Sequence, residues 1–280
     1  MSAEGEHTSL AQGATFRKSQ GVDKFIFSCY HKWGCRMKKF IVNLITGFKD
    51  IIYPKICFIC REKLDKSCVD ELVCLKCWVA IKKNTPPFCT RCGRSLDSKS
   101  LTENVCCACL KRPVHFDRAF VPCVYAGPIK DLIHEFKYNN KDYLATTLSR
   151  LMSDFIREYD VPVNFLDLIV PVPLHPARLR EREFNQAELL ARLIASLYKI
   201  MVSADNLIRR RYTKTQTELE SQDRLVNVKD SFAVRTPELF KGKNILLVDD
   251  VMTTGATSSE AALALKNAGA NIVFDLTIAN

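Results

Sequence analysis

The sequence has little of what defines fibrous, low-complexity or membrane-spanning chains. Only 10 glycines and 11 prolines occur in 280 residues, which excludes a collagen-like repeat and any bulk of low-complexity sequence. No run approaches the roughly 20 apolar residues of a membrane-spanning helix. The longest apolar stretch, from Phe40 to Tyr53, is interrupted by Asn43, Lys49 and Asp50. We therefore expect no membrane span.

A secretory signal is also missing, because the opening MSAEGEHTSLAQG has no basic region followed by an apolar one. Apolar residues make up 47% and charged residues 26% of the chain, as in an ordinary globular protein of one or two domains. We expect a soluble cytoplasmic protein. In that reducing compartment, 13 cysteines indicate metal binding or catalysis more than disulfides.

The cysteines form an internal repeat. Four CxxC pairs follow one another, and adding 32 to the positions of the first two pairs gives the last two. Each copy reads C-x2-C-x13-C-x2-C, close to zinc ribbon spacing, and predicts a tetrahedral Zn²⁺ site with four thiolates and no open position. We predict two structural Zn²⁺ ions, paired sequentially, although a crossed pairing uses the same residues. The predicted ligands are Cys57, Cys60, Cys74 and Cys77, then Cys89, Cys92, Cys106 and Cys109.

The net positive charge of the chain comes entirely from its first 120 residues. Residues 1–120 hold 21 Lys and Arg against 11 Asp and Glu, whereas residues 121–280 hold 20 of each. Two Zn²⁺ with eight thiolates add 4 − 8 = −4, which leaves about +6 in the front part. This basic excess, with Trp78 and Phe88 nearby, is compatible with single-stranded DNA as a partner, and equally with a solvated ribbon surface.

From about residue 117 the pattern becomes one of alternating strands and helices. Apolar spacing predicts helices over 129–138, 141–158, 184–200 and 258–268, and strands over 118–125, 166–172, 244–248 and 272–278. Such alternation indicates a parallel sheet covered on both faces. We predict an α/β fold with three parts: a tail or start-site extension over 1–36, a double zinc ribbon domain with a leading helix over 37–115, and the sheet domain over 116–280.

The segment ILLVDDVMTTGAT, residues 245–257, carries the clearest chemical signal. Four apolar residues predict a buried strand, two carboxylates follow at its tip, and a turn rich in threonine opens the next helix. Backbone N–H groups at a helix start bind anions, and Gly255 lets the chain approach a phosphate closely. The carboxylates suit sugar hydroxyls or a hydrated divalent cation.

This segment resembles the phosphoribosyl pyrophosphate (PRPP) loop of type I phosphoribosyltransferases. The stretches PVPLHPARLREREFNQAELLA (171–191) and RRRYTKTQTELESQDRLVNVKDSF (209–232) resemble motifs of the ComF competence family, which also carries a zinc ribbon domain. One departure is Glu183, where that family has glycine. It would place a carboxylate near the expected pyrophosphate site. The resemblance implies a type I phosphoribosyltransferase fold preceded by a small zinc ribbon domain.

The resemblance also implies roles for individual residues. Asp249 and Asp250 would contact the ribose hydroxyls in catalysis, and Mg²⁺ would bind with PRPP. Partners implied by the family are PRPP or a related phosphoribosyl compound and other proteins of DNA uptake. The function implied by the resemblance is transfer of the phosphoribosyl group from PRPP to an unknown acceptor, linked to DNA uptake. The alternative is a non-catalytic, zinc-dependent accessory protein that senses PRPP and binds single-stranded DNA. The remaining predicted substrate-binding residues are Thr253, Thr254, Gly255, Ala256, Thr257, Pro171, Val172, Pro173, Arg178, Arg182, Gln216 and Arg224.

Overall fold

The structure is a computed structural model that describes residues 55–65, 68–96, 104–112, 114–212 and 228–280. The chain divides into two compact units, Met1–Lys55 and Ile56–Asn280, and the second contains all but one of the described residues. The predicted tail over 1–36 and the leading helix lie outside the described residues, as do Gln216 and Arg224. The boundaries 37–115 and 116–280 stay predictions.

A five-stranded parallel sheet forms the centre of the second unit. The described strands are β1 (Arg118–Phe120), β2 (Leu168–Pro171), β3 (Met201–Val202), β4 (Leu207–Arg209), β5 (Phe232–Val234), β6 (Asn244–Val251) and β7 (Ile272–Ala279). The order across the sheet is β1, β7, β6, β2, β3, and β4 pairs with β5 in a separate antiparallel ribbon. The predicted parallel sheet is confirmed.

Helices cover both faces of this sheet. They are α1 (Leu75–Val79), α2 (Cys107–Lys111), α3 (Pro128–Tyr138), α4 (Leu144–Glu158), α5 (Pro176–Arg182), α6 (Gln186–Tyr198) and α7 (Ala256–Asn267). Alternate residues of β6 pack in opposite directions: Leu246 and Val248 share a buried cluster with α3, α4 and α6, whereas Ile245 and Leu247 share one with α7. In the described part of the chain, no helix is long and apolar enough to cross a membrane.

The short helix α5 is absent from the sequence-based prediction. Its seven residues, PARLRER, carry no apolar stripe, so periodicity gives no helical signal. Local chemistry explains it instead. Pro176 stands at the first turn, where a missing N–H costs nothing, and the His175 side chain accepts a hydrogen bond from the N–H of Ala177.

The two cysteine repeats have little core of their own and pack into the sheet unit. Trp78, from the first repeat, is 9% exposed and lies under the Arg150 guanidinium of α4. Phe88, at the start of the second, makes edge contacts with the rings of Phe155 and Tyr159. Both rings proposed as stacking surfaces for single-stranded DNA are therefore used in internal packing.

Asn84, between the repeats, joins them to the sheet edge. It is 2% exposed, and its side-chain amide donates to the carbonyl oxygens of Val121, at 3.0 Å, and Cys123, at 3.2 Å. Its backbone N–H donates to Pro122 at 2.8 Å. Because the backbone N–H and the side-chain amide of Asn84 all have partners, this residue fixes the repeats to the sheet edge in one specific arrangement.

Gly93 allows the second repeat to approach β1 closely. It has φ +70°, and a Cβ at this position would lie 2.5 Å from the carbonyl oxygen of Ala119. Gly242 has the same φ but would meet nothing within 4 Å. Alanine substitutions at the two glycines therefore distinguish the cost of the left-handed backbone, present at both, from the cost of the steric clash, present only at Gly93.

We expect Gly93→Ala to lower the free energy of unfolding by at least about 2 kcal/mol, because strain and overpacking add. Gly242→Ala should cost only about 1 kcal/mol, from strain alone. Urea unfolding of the zinc-loaded variants measures both values. Equal losses would show that the repeat can move away from β1 without cost.

Candidate functional site

The eight repeat cysteines come together as two compact groups. Cys57, Cys60, Cys74 and Cys77 form the first, and Cys89, Cys92, Cys106 and Cys109 the second. Within each group the four Sγ atoms all lie within 4.8 Å of one another. The structure thus has the sequential pairing rather than the crossed one.

Their spacing fits Zn²⁺. Tetrahedral coordination with Zn–S bonds of about 2.3 Å places sulfur atoms roughly 3.8 Å apart. The Sγ atoms of Cys60 and Cys74 are 3.6 Å apart, and those of Cys92 and Cys106 are 3.7 Å apart. Backbone N–H groups also point at the sulfurs: Cys74 donates to Cys57 at 3.4 Å, and Cys106 to Cys89 at 3.3 Å. Such donors favour the thiolate form.

Burial and hydrogen bonding shift the pKa values of the thiols in both groups. Burial disfavours the Cys57 thiolate, but the backbone N–H groups of Cys74, Cys60 and Ile59 outweigh burial and lower its pKa to about 6. In the second group, hydrogen bonding to Cys89 and Cys92 raises the pKa of the Cys109 thiol, and burial adds to this. Four adjacent thiolates require a dication, and with four protein ligands such a site is structural.

A separate cleft of about 580 Å³ opens at the carboxyl ends of β2 and β6. This is the edge of a parallel α/β sheet where ligands bind. Eight of the predicted site residues line it. They are Val172, Pro173, Arg178, Arg182, Asp249, Asp250, Thr253 and Thr257.

Asp249 and Asp250 lie at the end of the buried strand β6. The Asp249 carboxylate accepts a hydrogen bond from the backbone N–H of Asp250 at 2.8 Å. Asp250 pairs with Lys137, whose Nζ lies 2.7 Å from Oδ1. Both side chains of this ion pair are largely buried, at 16% and 12% exposure. Lys137, Asp249 and Asp250 therefore form one cluster, the acidic centre.

A third carboxyl lies behind this pair. Asp275, on β7, is fully buried and accepts a hydrogen bond from Thr277 Oγ1 at 2.7 Å. Burial raises the pKa of Asp275 to about 7. Burial and the neighbouring carboxylates of Asp250 and Asp275 together raise the pKa of Asp249 well above its usual range. The acidic centre therefore holds its negative charge only with help from cations.

The turn after β6 has the geometry of an anion-binding loop. Gly255 takes a left-handed conformation, φ +75°, immediately before α7, and Thr254 Oγ1 accepts a hydrogen bond from the N–H of Ala256 at 3.4 Å. Thr253 and Thr257 line the cleft. Thr254, Gly255 and Ala256 are not among its lining residues, and the last two are buried. The helix begins at residue 256, two positions before the predicted start.

Arginines also line the cleft. Arg178 and Arg182 are four residues apart on α5 and therefore share one face of the helix, whereas Arg180 is not among the lining residues. Arg209, on β4, also lines the cleft, and its charge interacts with that of Asp249. Burial lowers the pKa of the Arg209 guanidinium, and Asp249 opposes that effect.

Hydrogen bonds from the sequence FNQA, residues 184–187, hold the neighbouring part of the cleft lining in place. Asn185 donates through Nδ2 to the carbonyl oxygen of Val172 at 3.1 Å and caps α6 by accepting from Ala187 N–H. Gln186, 1% exposed, donates to the carbonyl oxygen of Phe136 at 3.3 Å and accepts from Arg182. These contacts hold Val172 and Pro173 at the cleft, while Pro171 is buried in the sheet.

Glu183 takes the backbone conformation that favours glycine. Its φ is +63°, at the end of α5, and its side chain is exposed and absent from the cleft lining. The Glu183 carboxylate therefore lies outside the cleft lining, and its predicted position near a pyrophosphate site stays a prediction. The substitution therefore strains the turn more than it changes the charge of the cleft.

One wall of the cleft was missed by sequence reasoning. Helix α3 contributes Lys130, His134, Lys137 and Tyr138, and Tyr125 lies beside them. Their spacing is helical, so a signal existed. However, periodicity alone does not tell which polar face meets a ligand.

Two family models match the chain. The model described as a double zinc ribbon domain matches residues 48–110, and the one described as a phosphoribosyl transferase domain matches residues 187–277. Together with the cysteine groups and the parallel sheet, they define a zinc ribbon protein with a phosphoribosyltransferase domain.

Curated relatives identify the family. DNA utilization protein YhgH of Escherichia coli strain K12 is 31% identical over 222 residues, covering 79% of this chain and 94% of that protein. Competence protein F of Haemophilus influenzae is 31% identical over 217 residues, covering 76% and 91%. Competence protein ComFC of Bacillus subtilis is 27% identical over 235 residues, covering 78% and 91%. The chain belongs to the ComF family.

Metal content tests the cysteine groups. We expect two Zn²⁺ per chain in the wild type and one in Cys92→Ser, because the second site loses a thiolate. Cys107→Ser is the matched control, since Cys107 is exposed and adjacent to a ligand but outside both groups. Elemental analysis of purified protein gives the counts. Loss of a zinc ion in the control would exclude this ligand set.

The acidic centre predicts a pH-dependent loss of stability in Lys137→Met. Because the pKa of Asp249 is raised, the folded protein keeps a proton that the unfolded chain has lost, so stability falls as pH rises through that interval. Removing Lys137 raises the carboxyl pKa further and deepens the fall. The expected loss at pH 8 is about 2–3 kcal/mol, below that of a fully buried pair.

Urea unfolding at pH 5 and pH 8 measures this difference. Lys130→Met, on the same helix but exposed, is the control and should change stability by less than about 0.5 kcal/mol at either pH. A loss for Lys137→Met that is equal at both pH values would mean that packing, not charge, explains the effect.

Proposed function

We propose that this protein binds PRPP together with Mg²⁺ in the cleft and transfers the phosphoribosyl group to an acceptor, releasing pyrophosphate. One observation carries the proposal: the paired carboxylates, two threonines of the turn after β6 and the arginines all line a single cleft at the ends of parallel strands. A cleft of about 580 Å³ lies within the roughly 300–1,000 Å³ typical of ligand sites.

Each part of the cleft suits one part of PRPP. The backbone N–H groups and hydroxyls of residues 253–257 suit the 5′-phosphate at the start of α7. Asp249 and Asp250 accept hydrogen bonds from the ribose hydroxyls. Arg178 and Arg182 offer paired donors to the pyrophosphate, with the strand tip at 171–173 beside them. The predicted contribution of Gln216 and Arg224 stays part of the proposal.

The carboxylates also supply oxygen ligands of the kind that Mg²⁺ prefers. When bound, Mg²⁺ would neutralise charge on the pyrophosphate. The bond between C1′ and a pyrophosphate oxygen breaks with its electron pair leaving on pyrophosphate. The two carboxylates then stabilise the positive charge that develops on the ribosyl group, and the arginines stabilise the leaving group.

The zinc sites have a structural role in this proposal. Both four-cysteine groups share buried clusters with the sheet, so zinc stabilises the body that holds the cleft. The packing of Trp78 and Phe88 gives the single-stranded DNA alternative no support. The relatives are named for competence and DNA utilisation, and we infer a role for the transfer reaction in the use of DNA.

Calorimetric titration of PRPP and Mg²⁺ tests the proposal. The wild type should bind, and Asp249→Asn/Asp250→Asn should bind at least about 100-fold more weakly, because two charge-assisted contacts to the ligand are lost. Asp142→Asn/Asp160→Asn removes two exposed carboxylates outside the cleft lining and should bind like the wild type. No PRPP binding by zinc-loaded wild type would refute the proposed function.

A further inference from the structure

Helix α3 divides its side chains among three faces. Ile129, Leu132, Ile133 and Phe136 are fully buried in the core. Lys130, His134, Lys137 and Tyr138 line the cleft. The acids Asp131 and Glu135 are not among the lining residues, although they are the immediate neighbours of Lys130 and His134. The face toward the cleft is thus cationic and aromatic without a carboxylate.

We propose that Tyr125, Lys130, His134 and Tyr138, the α3 wall, form the acceptor subsite and bind a planar aromatic acceptor that carries a carboxylate. This assignment rests on the proposed function, because it places the acceptor next to a bound PRPP.

The position of the wall follows from Lys137. This residue pairs with Asp250, so the last turn of α3 touches the place where the ribose would bind. Each residue advances a helix by about 1.5 Å, so His134 and Lys130 lie roughly 4.5 and 10.5 Å back along the axis from Lys137. An acceptor beside C1′ would therefore meet His134 first, with Lys130 beyond it.

The side chains indicate the class of acceptor. His134 and Tyr138 stand with ring centroids 4.9 Å apart, and the Arg182 guanidinium lies 5.2 Å from the Tyr138 ring centroid. Tyr125 is half-buried next to the acidic centre. Flat rings of this kind favour a flat ligand. Lys130 makes no ion pair with any residue in the described part of the chain and supplies a charge for an anionic substituent.

The transfer exchanges one bond at C1′ for another. A nitrogen of the acceptor forms a bond to C1′ while the bond from C1′ to pyrophosphate breaks, and the electron pair leaves with pyrophosphate. The proton lost by that nitrogen passes to the imidazole of His134 and from there to water. His134 is the only imidazole that lines the cleft among the described residues.

Two matched pairs of probes test the acceptor class: 2-aminobenzoate against aniline, and orotate against uracil. Each pair differs by the carboxylate. We expect pyrophosphate release to favour at least one acid over its neutral partner by about tenfold or more in kcat/KM, the strength of a hydrogen bond to a charged group. Release is measured in the presence of PRPP and Mg²⁺.

Variants of α3 test the residues. Lys130→Gln should raise the acceptor KM about tenfold and remove the preference for the acid. His134→Asn should lower kcat about 100-fold, because the imidazole that accepts the proton is lost. Both should bind PRPP within about twofold of the wild type by calorimetry. Asp131→Asn and Glu135→Gln, on the same helix but outside the cleft lining, are the matched controls and should change neither quantity.

The possible failures are distinguishable. If the wild type binds no PRPP, the proposed function itself fails. If PRPP binds but neither acid releases pyrophosphate, or the neutral partners react equally well, the acceptor class is wrong. If Lys130→Gln or His134→Asn weakens PRPP binding tenfold, the α3 wall belongs to the pyrophosphate site and is not an acceptor subsite.

Discussion

Two consecutive carboxylates at the end of a buried strand need compensating positive charge from the residues around them. The four residues before them, 245–248, are completely buried, so the strand brings the acids into a region with little water. Asp275 adds a third carboxyl behind them. Such a group is stable only when cations from other elements approach it. Lys137 comes from α3 and Arg209 from β4, and the cleft forms between them.

The chain that follows the second cysteine group packs against α7 and the turn before it. The N–H of His115 donates to Ser259 Oγ at 3.1 Å. Phe116 packs at the turn after β6, since a Cβ at Gly255 would lie 3.8 Å from its ring. The predicted boundary between residues 115 and 116 falls within this contact. Residues close in sequence to the second cysteine group therefore support that turn.

Much of the fold could be predicted because the responsible forces act locally. The cysteine spacing depends on a metal with fixed geometry, and four apolar residues in a row identify a buried strand. The cleft was only half predicted. Arg178 and Arg182 were predicted, but the helix α5 that brings them to one face was not, because it has no apolar period. The role of Lys137 depends on a partner 113 positions away in the chain, a contact that spacing cannot reveal.

The charged side chains of the cleft come from separate elements. Asp249 and Asp250 come from β6, and the cations form two groups: Arg178, Arg182 and Arg209 come from α5 and β4, and Lys130 and Lys137 come from α3. A site for the pyrophosphate of the proposed ligand needs only one such group. The second group lies on a helix whose acids are not among the lining residues. A second anion, besides the proposed leaving group, is the simplest reason for that arrangement.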